Sequence, residues 1–186
     1  MIDQREWIMS FQPIEILRDN EHLYVLKRWE EDDIEALLKY ANNEKISGNL
    51  TDKFPFPYTR ESGEEFIKTV KDLDPPRILC ISNSREAIGA IGVHPQSDIW
   101  SRNMEMGYWL AEPFWGRGII TKAVEAMVTH GFNSFDVDRI FARPFGSNEA
   151  SQRVLEKAGF TLEARFKNTI YKNGQYHDEL IYAIRK

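Results

Sequence analysis

The sequence contains a single cysteine, Cys80, among its 186 residues. One cysteine excludes an intramolecular disulfide, and the absence of a CxxC pattern or a Cys/His cluster excludes the usual structural zinc sites. Low cysteine usage of this kind is typical of a reducing compartment. We therefore expect a cytoplasmic protein that holds no metal.

Long apolar runs and an excess of basic residues are also missing. Nowhere do about 18 apolar residues follow one another, as a membrane-spanning helix requires, and the first residues lack the pattern of a signal peptide. Lys and Arg number 24 against 29 Asp and Glu, a formal net charge of −5. An acidic chain has no broad footprint for nucleic acid or an anionic membrane, and it attracts a cationic acceptor better. We expect neither nucleic acid nor membrane as a partner.

The composition is that of an ordinary globular protein, with 42% hydrophobic and 28% charged residues. This length suits one domain with a full hydrophobic core. No internal repeat, low-complexity tract or linker divides the chain. We expect an N-terminal extension over residues 1–20 that packs on a single domain over residues 21–186, as a monomer or a homodimer.

The first half of the sequence predicts a hairpin followed by two helices. Extended patterns at 14–17 and 23–26 flank a polar turn,. A first helix should begin after Asp33 and stop near Asn42, because its apolar residues follow a helical period. Ser62 with Glu65 resembles a capping box for a second helix, whose apolar stripe includes Leu73 and ends before Pro75 and Pro76,.

The second half predicts a sheet with a helical crossover. Short apolar runs indicate strands at 77–81, 87–93, 104–110 and 139–143. A helical apolar period over 119–132 joins the last two, which favours locally parallel strands. A further helix should follow Asn148, with Gly159 just beyond its end,. Asn173-Gly174 between extended stretches is typical of a type I′ hairpin.

A glycine turn, Trp115-Gly116-Arg117-Gly118, lies between a predicted strand and a predicted helix. Free backbone amides and the positive end of the helix dipole suit a phosphate or diphosphate there, although a plain tight turn also needs glycines. GxGxxG and Gly-Lys-Ser/Thr patterns are absent, which argues against dinucleotide-binding and nucleotide-hydrolysing folds. A second motif, Asn148-Glu149-Ala150-Ser151, opens the next helix, where Asn and Ser alone would serve only as helix caps.

Together these motifs resemble the GNAT N-acetyltransferases, and within them the ribosomal-protein-type N-terminal acetyltransferase branch. The resemblance is carried by three runs in the family's order: 105–110, 115–118, and 148–151 with Glu156-Lys157-Ala158-Gly159-Phe160. It implies an α/β (α+β) domain, a mixed, mostly antiparallel splayed sheet flanked by helices, with acetyl-CoA in the split. The implied cofactor-binding residues are Tyr108, Trp109, Leu110, Trp115, Gly116, Arg117, Gly118, Ile119, Ile120, Asn148 and Ser151.

The sequence departs from the family at several positions. Many members carry Gln or Arg at the place of Trp115 and Gly or Ala at the place of Ile120. The usual general-acid tyrosine is replaced by Leu155. In the resembling branch a serine of Asn-x-x-Ser performs that role, which implies Ser151 as the group that protonates the departing thiolate.

The reaction also needs a base, because an ammonium group cannot attack a thioester. We expect Glu105 to act as this base through a water molecule, unless strand alternation turns it toward solvent. The branch places a carboxylate before its final hairpin, where this chain has Asn168-Thr169-Ile170. A base located there would be missing.

The acceptor side is less defined by sequence. Phe54, Phe56 and Tyr58 lie on a proline-stiffened loop that forms either one wall of an acceptor pocket or a cover for the core,. Tyr171 and His177 border the acceptor cleft or serve in strand packing. We expect direct acetyl transfer from acetyl-CoA to a primary amine, of a peptide N-terminus or alternatively of a polyamine, amino acid or antibiotic. A non-catalytic acetyl-CoA-binding module is the other alternative.

Overall fold

The structure, a computed structural model, describes residues 11–186, and the strands of this part form one mixed sheet. The strands are β1 (Ile14–Arg18), β2 (Leu23–Lys27), β3 (Ile78–Ser82), β4 (Ala87–Pro95), β5 (Asn103–Leu110), β6 (Arg139–Ala142), β7 (Thr161–Lys172) and β8 (Gln175–Arg185). Their order is β1-β2-β3-β4-β5-β6-β8-β7. Neighbours are antiparallel except β5 and β6, which are parallel. The prediction of a mixed, mostly antiparallel sheet with one parallel crossover is confirmed.

Five α-helices accompany the strands in residues 11–186. They are α1 (Ile34–Ala41), α2 (Glu44–Ser47), α3 (Arg60–Val70), α4 (Ile119–Ser134) and α5 (Glu149–Lys157). The short α2 was not predicted from the sequence. Asn43 caps it by accepting a hydrogen bond from the Lys45 amide.

The predicted bounds of α3 were wrong at both ends. Thr59, with an extended backbone, is the N-cap and accepts from the Ser62 amide at 3.3 Å. The helix therefore begins three residues earlier than the Ser62 capping box implied. It ends at Val70, and the guanidinium of Arg28 donates to the free carbonyls of Lys71 and Leu73 beyond the end.

The two faces of the sheet bury separate groups of helices. On one face α4 and α5 pack through residues such as Val124, Met127 and Leu155. On the other face α1 and α3 pack through Leu37 and Ile67. Side chains of a strand alternate between the two faces of the sheet, so successive residues of β5 point alternately toward the α4 and α5 face and the α1 and α3 face.

The sheet opens where β5 and β6 separate. These strands pair only from Asn103 with Arg139 to Glu105 with Phe141. Beyond Glu105, β5 continues for five residues that pair with β4 alone on its other side. We call this gap beside residues 106–110 the split.

The N-terminal hairpin of β1 and β2 is present, with the Asp19 carboxylate accepting from the amides of Glu21 and His22 in its turn. Residues 1–10 lie outside the described part, so the division at residue 20 stays a prediction. The hairpin of β7 and β8 has positive φ at Asn173 (49°) and Gly174 (77°), as a type I′ turn requires,. A bulge interrupts this pair between Phe166 and Ile170.

Candidate active site

The glycine turn, residues 115–118, presents open backbone at the start of α4. Gly116 and Gly118 both have φ of 76°, and no atom lies within 4 Å of where a Cβ would stand on either. Gly118 is the N-cap of α4 without a side-chain cap, and the first turn carries no acidic residue. The first amides of a helix have no partner within the helix. The turn is therefore suited to bind an anion.

Side chains hold the glycine turn against the end of β5. The indole Nε1 of Trp115 donates to the Leu110 carbonyl at 2.7 Å. Arg117 donates to the Pro113 carbonyl at 3.0 Å, and its guanidinium lies 5.5 Å from the Phe114 ring centre. These two side chains fix the conformation of the turn, which leaves its amides as the anion-binding groups.

The edge of β5 along the split has no neighbouring strand. The amide of Ala111 donates to the Ile88 carbonyl on β4. Because backbone groups alternate in direction along an antiparallel strand, those of Tyr108 and Leu110 face the split, where the Leu110 carbonyl accepts from Trp115. An extended ligand arm can pair with the backbone groups of Tyr108 and the Leu110 amide as an added strand pairs with a sheet edge.

Ser151 and Tyr108 form a hydroxyl pair on the α4 and α5 face. Their oxygens lie 2.8 Å apart. Asn148, the N-cap of α5, accepts from the Ser151 amide at 3.1 Å and so fixes the start of the helix. Burial raises the pKa of Tyr108 to about 12, which keeps its hydroxyl protonated. Strand alternation places the Tyr108 side chain here, a role that the sequence motif alone did not indicate.

Glu105 lies on the opposite face of β5 and is 26% exposed. Its two carboxylate oxygens accept from Arg143 Nε at 2.9 Å and Nη2 at 2.7 Å. Arg143 also lies 3.5 Å from Glu179 on β8. The hydrogen bonding of the Arg143 guanidinium to Glu105 is the main cause of the raised pKa of Arg143. Arg143 and Glu179 were not among the predicted site residues.

A pocket of about 280 Å³ surrounds this ion-pair network. We call it the charged pocket, and its walls come from the loop before α3, β5, the segment after β6, β7 and β8. The lining residues are Leu50, Thr51, Asp52, Glu105, Arg143, Phe145, Ile170, Tyr171, Lys172 and Glu179. The Lys172 side chain is 9% exposed, and its Nζ lies 3.0 Å from the exposed Asp52 carboxylate. The pocket thus joins residues far apart in sequence beside the split.

The loop with Phe54, Phe56 and Tyr58 directly follows the pocket-lining residues 50–52 in the chain, and none of these three aromatic residues lines the charged pocket. The Phe54 ring centre is 5.1 Å from that of Tyr58 and 5.9 Å from that of Trp109. Tyr58 is 8% exposed within the core, and burial raises its pKa to about 12. Phe56 is 51% exposed. The three aromatics therefore occupy different environments.

The two remaining predicted acceptor residues lie on the last hairpin. Tyr171 lines the charged pocket, and its ring centre is 5.0 Å from that of Tyr176. The His177 ring packs 5.4 Å from Phe145, which also lines the pocket. Asp178, the neighbour of His177, forms an ion pair with Arg165.

Comparison with known families identifies the fold. The family described as the acetyltransferase (GNAT) domain matches residues 24–161, about three quarters of the chain. The chain belongs to the GNAT acetyltransferase family. The predicted family is thereby confirmed, and the site above lies within the matched region except for β7 and β8.

Curated relatives in the GNAT family include ribosomal-protein enzymes. The chain is 31% identical over 107 residues to the ribosomal-protein-serine acetyltransferase of Escherichia coli strain K12, a match covering 58% of this chain and 59% of the relative. It is 35% identical over 104 residues to the N-acetyltransferase YoaA of Bacillus subtilis strain 168, covering 56% and 58%. The matched segments thus span less than two thirds of these relatives.

A solved structure extends the GNAT likeness over nearly the whole chain. It is RimL, a ribosomal L7/L12 alpha-N-protein acetyltransferase in complex with coenzyme A. The TM-score is 0.80 at 25% identity, with 94% of this chain and 98% of RimL covered. The predicted single-domain GNAT fold is confirmed.

Residues 11–186 contain neither a metal-binding cluster nor a membrane-spanning helix. No group of three or more His, Cys, Asp or Glu side chains in this range is placed to hold a metal ion. None of the helices described here has both the length and the apolar character needed to cross a membrane.

Proposed function

We propose that the protein is a cytoplasmic, acetyl-CoA-dependent N-acetyltransferase that acts on the α-amine of a protein or peptide N-terminus. One observation carries the proposal: the split has an anion-binding turn and a hydroxyl pair on one side and a pocket with carboxylates on the other. Such a split lets acetyl-CoA and an amine approach from opposite faces of the sheet.

The acetyl-CoA side fits its ligand by backbone chemistry. The amides at Gly118, Ile119 and Ile120 suit the diphosphate, because the helix dipole favours negative charge there. The backbone groups of Tyr108 and the amide of Leu110 offer a strand edge to the pantetheine arm, whereas the backbone of Trp109, also expected from the sequence to bind the cofactor, faces β4,. The open space at Gly116 and Gly118 supports this placement, since side chains there would approach the ligand.

The transfer requires the acceptor nitrogen to lose two protons and the sulfur to gain one. Glu105, through a water molecule, takes a proton from the acceptor ammonium, and the free amine attacks the thioester carbon. The N–C bond forms and the C–S bond breaks, while backbone amides of β5 polarise the carbonyl, and the nitrogen releases its second proton to solvent as the amide forms. Ser151 donates its hydroxyl proton to the leaving sulfur and regains a proton from solvent, to which Glu105 returns the proton it took.

The protein-side acceptor is supported by the names of relatives. The Escherichia coli relative is named for serine of ribosomal protein, and RimL is named for the N-terminus of L7/L12. We propose that Phe54, Phe56, Tyr171 and His177 shape the approach to the charged pocket. Tyr58 would act only indirectly, since it is buried behind Phe54.

The deciding experiment measures acetyl-CoA-dependent thiol release with peptides of free N-termini, polyamines and amino acids. Wild type should turn over peptide amines best. Glu105→Gln should lower kcat about 100-fold, the size of a lost general base, and Ser151→Ala about 10-fold, since water can replace part of its role. Glu163→Gln is the matched control, because Glu163 also pairs with arginines but lies away from the split.

Acetyl-CoA binding is followed in parallel by protection from thermal unfolding. All variants should keep this protection. Protection without turnover on any amine would contradict the enzyme and favour an acetyl-CoA-binding module. Turnover that both substitutions leave unchanged would remove Glu105 and Ser151 from the mechanism.

A further inference from the structure

Two carboxylates in the charged pocket share one guanidinium. Glu105 and Glu179 both contact Arg143, at shortest distances of 2.7 and 3.5 Å. Two carboxylates with one guanidinium carry one net negative charge. At the rim, Lys172 and Asp52 cancel each other. Among the residues that line the pocket, a single negative charge is therefore left uncompensated.

The two carboxylates are not equivalent. Glu105 accepts two short, aligned hydrogen bonds from Arg143, the geometry of the strongest ion pairs,. Among the described residues, the Glu179 carboxylate has only long polar contacts, at 3.5 Å to Arg143 and 3.5 Å to Thr169 Oγ1. The Arg143 charge is thus committed mainly to Glu105, and the uncompensated charge resides at Glu179.

Burial makes this charge effective for binding. The Glu179 side chain is 21% exposed and lines the pocket together with the apolar Phe145 and Ile170. A partly buried charge is screened less by salt than one on the open surface. The isolated bridge between Phe145 and Glu179 fixes the backbone at this point. A cationic group that enters the pocket meets Glu179 as its best available partner.

We infer, given the proposed function, that Glu179 binds the ammonium group of the acceptor and so selects a cationic amine, while Arg143 holds Glu105 in place. Glu179 is thereby an acceptor-binding residue and Arg143 a positioning residue. The pocket, at about 280 Å³, is at the lower end of the roughly 300–1,000 Å³ typical of drug-sized ligand sites, a volume that suits the amine end of an acceptor,.

The test separates charge recognition from catalysis. The probe is the amide of the peptide Ser-Ala-Ala with a free, an N,N-dimethylated or an N-formylated N-terminus, titrated in the presence of saturating coenzyme A. The dimethylated form keeps the cation but is not an acceptor, and the formylated form is neutral. Wild type should bind the dimethylated form about 10- to 100-fold more tightly than the formylated form, as expected for a hydrogen bond between charged groups.

Three variants assign the preference to one carboxylate. Glu179→Gln leaves a neutral Glu105–Arg143 pair and should abolish the preference. The double variant Glu105→Gln/Arg143→Gln leaves Glu179 as the lone carboxylate and should keep it, although turnover of the free peptide falls. Glu163→Gln should match wild type in both measurements. Circular dichroism and thermal unfolding establish that each variant is folded.

The outcomes for binding and for the proposed function are distinct. A preference that survives Glu179→Gln but disappears in the double variant would assign the cation to Glu105 and overturn the inference. The inference would also be overturned if wild type bound the dimethylated and formylated peptides equally, or bound neither, and if the same result were obtained with the corresponding forms of the best acceptor of the panel. A preference that depends on Glu179 without turnover of any free amine would support the inference and contradict the proposed enzyme.

The positioning role of Arg143 is tested by Arg143→Gln. This variant should change the pH dependence of kcat and leave the affinity for coenzyme A unchanged.

Discussion

The two sides of the split are constructed in different ways. The proposed acetyl-CoA side uses contiguous segments, 115–120 and 148–151, and mostly their backbone amides. The charged pocket uses side chains from segments that are far apart, such as Asp52, Arg143 and Glu179. Backbone groups are the same for every residue type, whereas side chains change with each substitution. One side can therefore stay constant while the other is adapted to an acceptor.

The two sides of the split also differ in the substitutions that they tolerate. The glycine turn depends on conformations with positive φ, which only glycine adopts at little cost,. The charged pocket depends on a charge balance, which a single isosteric substitution alters without strain. We therefore expect the first side to fail through backbone changes and the second through changes of charge or volume.

The largest effect should follow Gly118→Val in the glycine turn. A β-branched residue disfavours φ of 76°,, and its side chain would enter the space in front of the helix. Loss of two hydrogen bonds to a charged group weakens binding on the order of 100-fold. We expect the Kd of acetyl-CoA, measured by calorimetry, to rise by that factor.

Gly174→Val is the matched control for the glycine turn. Gly174 also has a positive φ of 77° and open space around it, but it lies at the tip of the last hairpin. Both variants should lose about 1–2 kcal/mol of stability from the strained backbone, and only Gly118→Val should lose acetyl-CoA affinity. Equal affinities in both variants would mean that the turn does not bind the ligand.

The next largest effect concerns one tyrosine on each face of the sheet, the buried Tyr58 and the partly buried Tyr108. Burial raises the pKa of both Tyr58 and Tyr108 to about 12 from the ordinary value of 10.0. The unfolded chain ionises first, so this stabilising contribution is complete below pH 10 and is lost as the pH rises toward 12. Each tyrosine should thus account for a loss of about 2 kcal/mol in the free energy of unfolding.

Urea unfolding between pH 9 and 11.5 checks this contribution. Tyr58→Phe and Tyr108→Phe should each show a shallower decline with pH than wild type. At neutral pH, Tyr108→Phe alone should also lose about 1 kcal/mol, because it removes the hydrogen bond to Ser151,. Parallel curves for wild type and both variants would contradict the raised pKa values.

Sequence patterns could predict the fold and the acetyl-CoA side because both depend on local order. The helical period of α4 between two strands was enough to indicate the parallel pair of β5 and β6. The errors were local: the short α2 was missed, and α3 is capped by Thr59 rather than Ser62 and ends at Val70. The charged pocket could not be predicted, because Arg143 meets Glu179 only through the pairing of β6 with β8 and the bridge at Phe145. Nothing near either residue in sequence indicates this contact.

A smaller effect is expected from Gly107→Val, which places volume on the acceptor side. Gly107 is on the same face of β5 as Glu105, two residues along the strand, and nothing lies within 4 Å of its Cβ position. The variant should fold normally and raise the KM of the amine acceptor about 10-fold, the cost of about 1.4 kcal/mol of binding. Acetyl-CoA affinity should change less than twofold.

Gly89→Ala provides the contrast to Gly107→Val on the paired strand. A Cβ at Gly89 would stand 2.5 Å from the Trp109 carbonyl oxygen, so that variant should lose stability. Acetyl-CoA affinity and acceptor KM that shift together in Gly107→Val would show that the two ligands do not occupy separate sides at this residue.

The smallest effect should come from Asp52→Asn at the rim of the charged pocket. Asp52 is 88% exposed, so its pairing with Lys172 is weak and screened by salt,. Without it, the ammonium of Lys172 would oppose a cationic acceptor. The acceptor KM should rise about twofold at low ionic strength and return to the wild-type value in high salt.

Asp136→Asn is the control, since Asp136 is also exposed and pairs with Arg102 away from the pocket. It should leave the acceptor KM unchanged at any salt concentration. A rise of tenfold or more in Asp52→Asn that persists in high salt would mean that Lys172 and Asp52 hold the wall of the pocket in place. The charged pocket would then depend on fixed geometry as strictly as the glycine turn does. The two sides of the split would differ only in that one uses backbone amides and the other uses side chains.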